Sequence, residues 1–182
     1  MASLLHPRHI FGVNAEVSGG LSFMDEGVLV YPAGHCIVVL NIPTQIQKII
    51  PLGEESEAVT AMTVSNSKRY VAVAEQMSQK ASISVFDLHT LKRRKHFKTN
   101  EVQSKRYESL CFSADNKLLL SLSGAPDYSL VAWQWEKSKA MAVINVSLPS
   151  PSSRAYQCSC SPLERSVALV TGDGTCLSLI HI

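Results

Sequence analysis

Hydrophobic and polar positions alternate with a period of two in short runs along the chain, and polar turn residues interrupt the runs about every 8–12 positions. Such alternation is typical of β-strands that bury one face. Three serines, Ser65, Ser113 and Ser161, stand 48 residues apart, and each ends an apolar run and begins a polar turn. A period of about 20–50 residues indicates a repeat architecture, so the pattern predicts copies of one β-rich unit.

The repeat divides into units of short strands. Strands are predicted at 21–24, 28–31, 36–41 and 45–50 in the first unit, 59–64, 70–74, 82–88 and 93–97 in the second, 107–112, 118–122, 129–135 and 140–146 in the third, and 155–160, 166–170 and 175–180 in the last. Four strands in about 40–50 residues are typical of a propeller blade. We therefore predict an all-β fold, an incomplete WD-repeat-like β-propeller of about three and a half to four blades of four-stranded antiparallel sheet. The predicted blades are 21–50, 58–97, 107–146 and 155–182, the last one incomplete.

Composition and charge narrow the function classes. The net charge of +2 argues against a dedicated nucleic-acid surface, which needs many phosphate contacts. Five scattered cysteines are typical of reduced thiols in an intracellular protein. Residues 1–8 lack the apolar core of a signal peptide, and apolar runs such as 37–40 are too short to span a bilayer. We expect a cytosolic or cytoskeletal protein with no membrane partner.

Motifs for catalysis or metal binding are not found in the sequence. It contains neither the Gly-x-Ser-x-Gly pattern of a nucleophile elbow nor a phosphate-binding loop, and its six histidines are dispersed. Cys158 and Cys160 share one face of a strand, but no second pair at zinc spacing accompanies them. We interpret these two, and also Cys36 and Cys111, as small core residues. The expectation is a protein that is not an enzyme and has no catalytic, cofactor or metal site and no small-molecule substrate.

The strongest charge feature is a basic run in the second unit, at Lys92, Arg93, Arg94 and Lys95. One interpretation is a patch that binds an acidic partner, such as the acidic tails of tubulin. The other, which we favour, is a solvated outer strand whose lysines protect a sheet edge. The four residues are retained as candidate partner-binding residues.

Two aromatic residues in the third unit alternate with a polar one. Trp133 and Trp135 therefore face the same side of a predicted strand. A pair of this kind is more often packed between blades than exposed as a binding hot spot. We interpret both tryptophans as blade-to-blade core.

The strand ends resemble those of the WD-repeat family, whose third strand in each unit typically ends in Trp-Asp. Phe86-Asp87 keeps the aspartate, Trp133-Gln134 keeps the tryptophan, and Leu40-Asn41 keeps neither. No repeat begins with the Gly-His pair typical of the family; the one Gly-His of the sequence, at 34–35, lies within the first unit. The resemblance therefore implies divergent blades, in which the family's buried Asp/His/Ser/Trp hydrogen-bond network is not assembled and apolar packing dominates.

Longer strings resemble a narrower family, the cilia- and flagella-associated WD-repeat proteins of the axoneme. These strings occupy residues 9–12, 23–26, 31–34, 47–51 and 133–142. The resemblance is to the amino-terminal blades of that family. It implies a long protein with two propellers and a coiled-coil tail, located in the cytoskeleton at the axoneme of the cilium or flagellum. It also implies axonemal partners and a role in placing inner dynein arms and regulatory complexes on doublet microtubules.

Length completes the prediction. A closed propeller usually has about seven blades, and the sequence provides three and most of a fourth. We therefore expect a fragment, and we expect residues 1–20 to close the ring of the full-length protein. The predicted function is a non-enzymatic protein-interaction scaffold. Two alternatives stay open, the propeller domain of a hydrolase and a WD-repeat adaptor in another intracellular pathway.

Overall fold

The fold is described by a computed structural model over residues 8–146, 148–150, 152–164, 167–173 and 175–180. The described residues form four antiparallel sheets, three with four strands and one with three, and each sheet follows chain order. We call the sheets blades one to four. The predicted all-β class, an incomplete propeller-like array of four-stranded antiparallel sheets, is confirmed.

The strand bounds follow the predicted alternation closely. Blade one contains β1 (Ser22–Asp25), β2 (Val28–Ala33), β3 (Cys36–Asn41) and β4 (Ile46–Pro51). Blade two contains β5 (Ala58–Val64), β6 (Tyr70–Gln76), β7 (Ser82–Asp87) and β8 (Lys92–Phe97). Blade three contains β9 (Tyr107–Phe112), β10 (Leu119–Ser123), β11 (Ser129–Gln134) and β12 (Lys139–Asn145). Blade four contains β13 (Ala155–Cys160), β14 (Val167–Gly172) and β15 (Thr175–Ile180).

Neighbouring blades meet through their first strands. β1 lies beside β5, β5 beside β9, and β9 beside β13. The first strand of each blade is therefore the inner one, and β4, β8 and β12 are outer edges. This is the order of successive blades around a propeller axis.

Successive side chains of a middle strand point to opposite faces of the blade, so one strand contributes to two blade interfaces. On β6, Val71 and Val73 pack in the cluster between blades one and two, whereas Ala72 and Ala74 pack in the cluster between blades two and three. All four side chains are fully buried. Because β6 is covered on both faces, apolar residues are favoured at its successive positions, which explains the unbroken apolar run at this point of the sequence.

The repeated serines close the hairpin between the first two strands of a blade. Ser65 Oγ accepts a hydrogen bond from Tyr70 N (3.0 Å), and Ser113 Oγ accepts one from Leu118 N (3.0 Å). The third serine, Ser161, instead accepts from amides within its own turn. The 48-residue period therefore has a structural cause, because each serine satisfies backbone donors that a tight turn leaves unpaired.

A few predicted ends differ from the structure. Trp135 does not end a strand but begins a 3₁₀ turn over Trp135–Lys137, which closes with Ser138 in the left-handed region (φ 55°). Leu118 precedes β10 and Val146 follows β12. Ser166, which we predicted as the start of a strand, lies outside the described residues, as do Gly174 in the last hairpin and residues 181–182 of the predicted last blade.

Residues 8–20 lie against the first two blades. Gln47 on β4 accepts a hydrogen bond from Ile10 N (2.7 Å) and donates one to Ile10 O (3.1 Å). Ser18 forms a parallel bridge with Ala61 on β5. Closure of a full ring by residues 1–20 stays a prediction, and residues 1–7 lie outside the described range. No helix long and apolar enough to cross a membrane occurs in the part of the chain that the structure describes.

Candidate interaction surface

The basic run forms β8, the outer edge strand of blade two. Lys92, Arg93 and Arg94 are exposed, Lys95 is half-buried and Phe97 is buried. Phe97 packs its ring 4.7 Å from the ring of Trp133 in blade three. β8 is therefore held at one end by an apolar contact and presents its charged residues along the rest of its length.

A β-bulge directs two successive basic side chains to one place. Val85 pairs with Lys95 and Phe86 with Arg93, so Arg94 is the extra residue of the bulge. In a regular strand, neighbouring side chains point to opposite faces, but Arg94 and Lys95 both line a cleft of about 410 Å³ between blades two and three. Glu136 from the 3₁₀ turn lines the opposite side of that cleft.

The floor of this cleft is aromatic. Tyr70 and Trp135 lie with their ring centroids 5.0 Å apart, and the Trp135 Nε1–H donates a hydrogen bond to Asn116 O (2.7 Å). None of the four basic side chains has an ion-pair partner within 4 Å among the described residues. The cleft can thus place two cations around an anionic group beside an apolar floor.

The turn that leads into β8 is fixed by Asp87, the aspartate that matches the WD pattern. Its carboxylate is 1% exposed. It accepts hydrogen bonds from His89 N (3.0 Å), Thr90 N (3.0 Å) and Arg69 Nε (3.1 Å). Burial opposes ionisation, but these bonds from Thr90, Arg69 and His89 outweigh it and lower the pKa of Asp87 below its ordinary value. The WD pattern in the sequence identified Asp87, but only the structure shows that its carboxylate stabilises the β7–β8 turn.

Three polar side chains that the sequence analysis did not single out, Glu75, Ser84 and His96, contact one another in the middle of blade two. Ser84 Oγ donates a hydrogen bond to the carboxylate of the buried Glu75 and lies 3.0 Å from His96 Nδ1. Burial lowers the pKa of His96, the nearby Arg93 and Lys98 lower it further, and Glu75 opposes them. A hydrolytic triad places the histidine between the hydroxyl and the carboxylate, whereas here the hydroxyl lies between the other two. These polar contacts connect β6, β7 and β8 and stabilise the blade.

The tryptophans occupy the predicted core, and one of them corrects an expectation. Trp133 and Trp135 are 1% and 3% exposed and pack between blades two and three, as predicted. We expected the buried Asp/His/Ser/Trp network of the WD family not to be assembled. In the structure, Trp133 Nε1 donates a hydrogen bond to Ser121 Oγ (2.8 Å), so the Trp–Ser part is present in blade three. Ser121 could have indicated this bond in the sequence, because it lies 12 residues before Trp133, on the neighbouring strand.

The cysteines are only partly the core residues that we predicted. Cys158 is buried, whereas Cys36, Cys111 and Cys160 are half-buried. Cys111 on β9 and Cys160 on β13 bring their sulfur atoms to 3.1 Å across the interface of blades three and four. Among the described residues, no group of three or more His, Cys, Asp or Glu side chains is placed to hold a metal ion.

Comparison with known proteins places this fold among relatives. The chain is 33% identical over 168 residues to cilia- and flagella-associated protein 57 of Mus musculus. This match covers 91% of the chain and 13% of the mouse protein. It is 29% identical to cilia- and flagella-associated protein 57 C of Tetrahymena thermophila, over 95% of the chain and 14% of that protein. A third relative, cilia- and flagella-associated protein 52 of Sus scrofa, is 33% identical over 72% of the chain. No protein-family model matches the chain.

The stacked antiparallel sheets and these relatives place the chain in the class of divergent WD-repeat, propeller-like proteins. It belongs to the family of cilia- and flagella-associated protein 57, and the resemblance seen in the sequence is confirmed. The chain spans only part of the length of these relatives: the matched region is 13% of the mouse protein and 14% of the Tetrahymena protein.

Proposed function

We propose that the chain is a non-enzymatic protein-interaction scaffold of the ciliary or flagellar axoneme. The observation that carries the proposal is the match with cilia- and flagella-associated protein 57 over 91% of the chain, in a fold of rigid stacked blades. Blades of this kind bind through loops and edges that a packed core holds in place. In the full-length protein, the scaffold helps to position inner dynein arms and regulatory complexes for ciliary motility.

The proposed partners are axonemal proteins, and β8 is the candidate surface that binds them. Lys92, Arg93, Arg94 and Lys95 lie on an outer edge and have no ion-pair partners within the described part of the chain. Surface charges that are not paired within a fold are available to an oppositely charged partner, and they also accelerate its association. Acidic segments, among them the tails of tubulin, have the chemistry that fits the cleft at Arg94 and Lys95.

The test reverses these charges in the full-length protein that carries this segment, in motile ciliated cells. We expect K92E/R93E/R94E/K95E to reduce co-precipitation with axonemal proteins about tenfold, which corresponds to about 1.4 kcal/mol. The control is K137E/K139E, since Lys137 in the 3₁₀ turn and Lys139 on β12, the next outer edge, are both exposed. Unfolding of both purified variants is measured first, because Lys95 is half-buried.

Binding that the β8 reversals and the control reduce equally would exclude β8 as the contact and leave the scaffold proposal standing. Absence of the unchanged protein from cilia would contradict the scaffold proposal itself.

A further inference from the structure

Three thiols lie together where the inner strands of blades three and four meet. Cys111 lies on β9, and Cys158 and Cys160 lie on β13, the strand beside it. Cys111 and Cys160 are 49 residues apart in sequence, yet their sulfur atoms are 3.1 Å apart. The two side chains are half-buried at the margin of the cluster that joins the two blades.

We propose that Cys111 and Cys160 are an oxidation site, at which a peroxide converts the two thiols into a reversible disulfide that joins blades three and four. This site goes beyond the proposed scaffold function and does not depend on it.

Geometry selects this pair from the three thiols. A disulfide needs sulfur atoms about 2.05 Å apart, so Cys111 and Cys160 must approach by about 1 Å. Cys158 and Cys160 are two residues apart on one strand, which separates their Cα atoms by about 6.6 Å and directs the side chains in parallel, so that pair is poorly placed to join. Cys158 is also 2% exposed, so it is closed to a reagent from solution.

The chemistry balances with the peroxide as the only oxidant. The thiolate of Cys160 attacks one oxygen of hydrogen peroxide, which breaks the O–O bond, forms a sulfenic acid and releases water after protonation. Cys111 then attacks the sulfenic sulfur, its proton joins the departing hydroxide, and a second water leaves. Two thiols and one peroxide thus give one disulfide and two waters. Hydrogen bonds with Cys158 and Cys160, together with burial, raise the pKa of Cys111, so Cys111 stays protonated while Cys160 reacts with the peroxide.

The bond would stabilise the contact between the blades. It closes a loop that contains β10, β11 and β12 of blade three, the connection to blade four and β13, and a cross-link over a loop of this length restricts the unfolded chain. For a chain of this size we expect the apparent Tm to rise by about 10 °C on oxidation and to return on reduction.

The test uses the purified chain and hydrogen peroxide itself. The reduced protein is treated with a small molar excess of peroxide, the remaining thiols are alkylated, and the digest is examined by mass spectrometry without reductant. We expect a linked peptide pair that joins Cys111 to Cys160, released by dithiothreitol. The C160A variant should lose the link and the Tm rise, whereas C158A, a matched change two residues away, should keep both.

A link that involves Cys158, or full alkylation of Cys111 and Cys160 while the exposed Cys176 is oxidised, would overturn the proposal. The assignment in the unchanged protein decides the question even if a variant fails to fold.

Discussion

Asp87 should be the most important polar side chain of blade two, and its replacement tests the reasoning about the β7–β8 turn. Asp87→Ala removes a buried acceptor of three hydrogen bonds, from His89 N, Thr90 N and Arg69 Nε. Each hydrogen bond to a charged group contributes about 1.5–3 kcal/mol when it is buried. The Arg69 side chain is 52% exposed, so its bond adds little, and the two part-buried backbone bonds at the low end of that range give a total of about 3 kcal/mol.

Matched variants separate the contributions of Asp87. Asp87→Asn keeps a neutral acceptor of the same shape for the turn amides, so we expect a loss of about 1–2 kcal/mol at pH 7. Arg69→Ala removes only the half-exposed partner and should cost less than about 1 kcal/mol. Urea unfolding, followed by the fluorescence of the buried Trp133 and Trp135, measures all three variants. A slope of about 2 kcal/mol/M converts the alanine effect into a midpoint about 1.5 M lower.

The pH dependence of the free energy of unfolding gives an independent check. The folded state lowers the pKa of Asp87, so its ionised form stabilises the protein above the unfolded pKa of about 3.9. This stability is lost as the pH falls through the lower folded pKa. The difference between wild type and Asp87→Asn should therefore shrink from pH 6 to below pH 3. An alanine variant within 0.5 kcal/mol of wild type, or a difference that is constant with pH, would refute the reasoning.

Two further predictions concern the blade interfaces. Trp133→Phe loses the hydrogen bond to Ser121 and part of a fully buried ring, so unfolding free energy should fall by about 2–3 kcal/mol. In a double-mutant cycle with Ser121→Ala, the two losses should not add, and additivity would show that the bond contributes nothing. Val73→Ala leaves a cavity between blades one and two and should cost about 2 kcal/mol in the same assay, whereas Val13→Ala, at a side chain that is 54% exposed, should cost less than about 0.5. Equal effects of the two valine changes would contradict the packing described for β6.

The sequence predicted the fold well, because the middle strands of blades two and three are covered on both faces and stand out as short, largely apolar runs between turn residues. The strand over Cys36–Asn41 was predicted with the observed bounds, and so was the strand over Ala155–Cys160. The 3₁₀ turn at Trp135 was not predicted, since its tryptophan continues the period-two pattern of the strand before it. Alternation reports which side a residue faces and carries little information about where a strand ends.

Contacts between blades were less predictable from the sequence. The approach of Cys111 and Cys160 depends on how two inner strands are placed relative to each other, and no local pattern encodes that placement. The same holds for Asn66 of blade two, whose backbone N–H donates to Asn116 Oδ1 (2.7 Å) in the equivalent hairpin of blade three. The bulge that directs Arg94 and Lys95 to one cleft was also not predicted, because residues 92–96 of β8 are all basic and show no alternation that a bulge would interrupt.

The measurement that tests the central claim most directly is the location of this protein in isolated cilia. Motile cilia from the source organism are demembranated with detergent, and the axonemal pellet and the soluble fraction are compared by quantitative mass spectrometry of peptides from this chain. A stable axonemal scaffold predicts that these peptides remain in the pellet together with inner dynein arm subunits. Peptides found only in the detergent-soluble fraction, or only in cell bodies, would contradict the account.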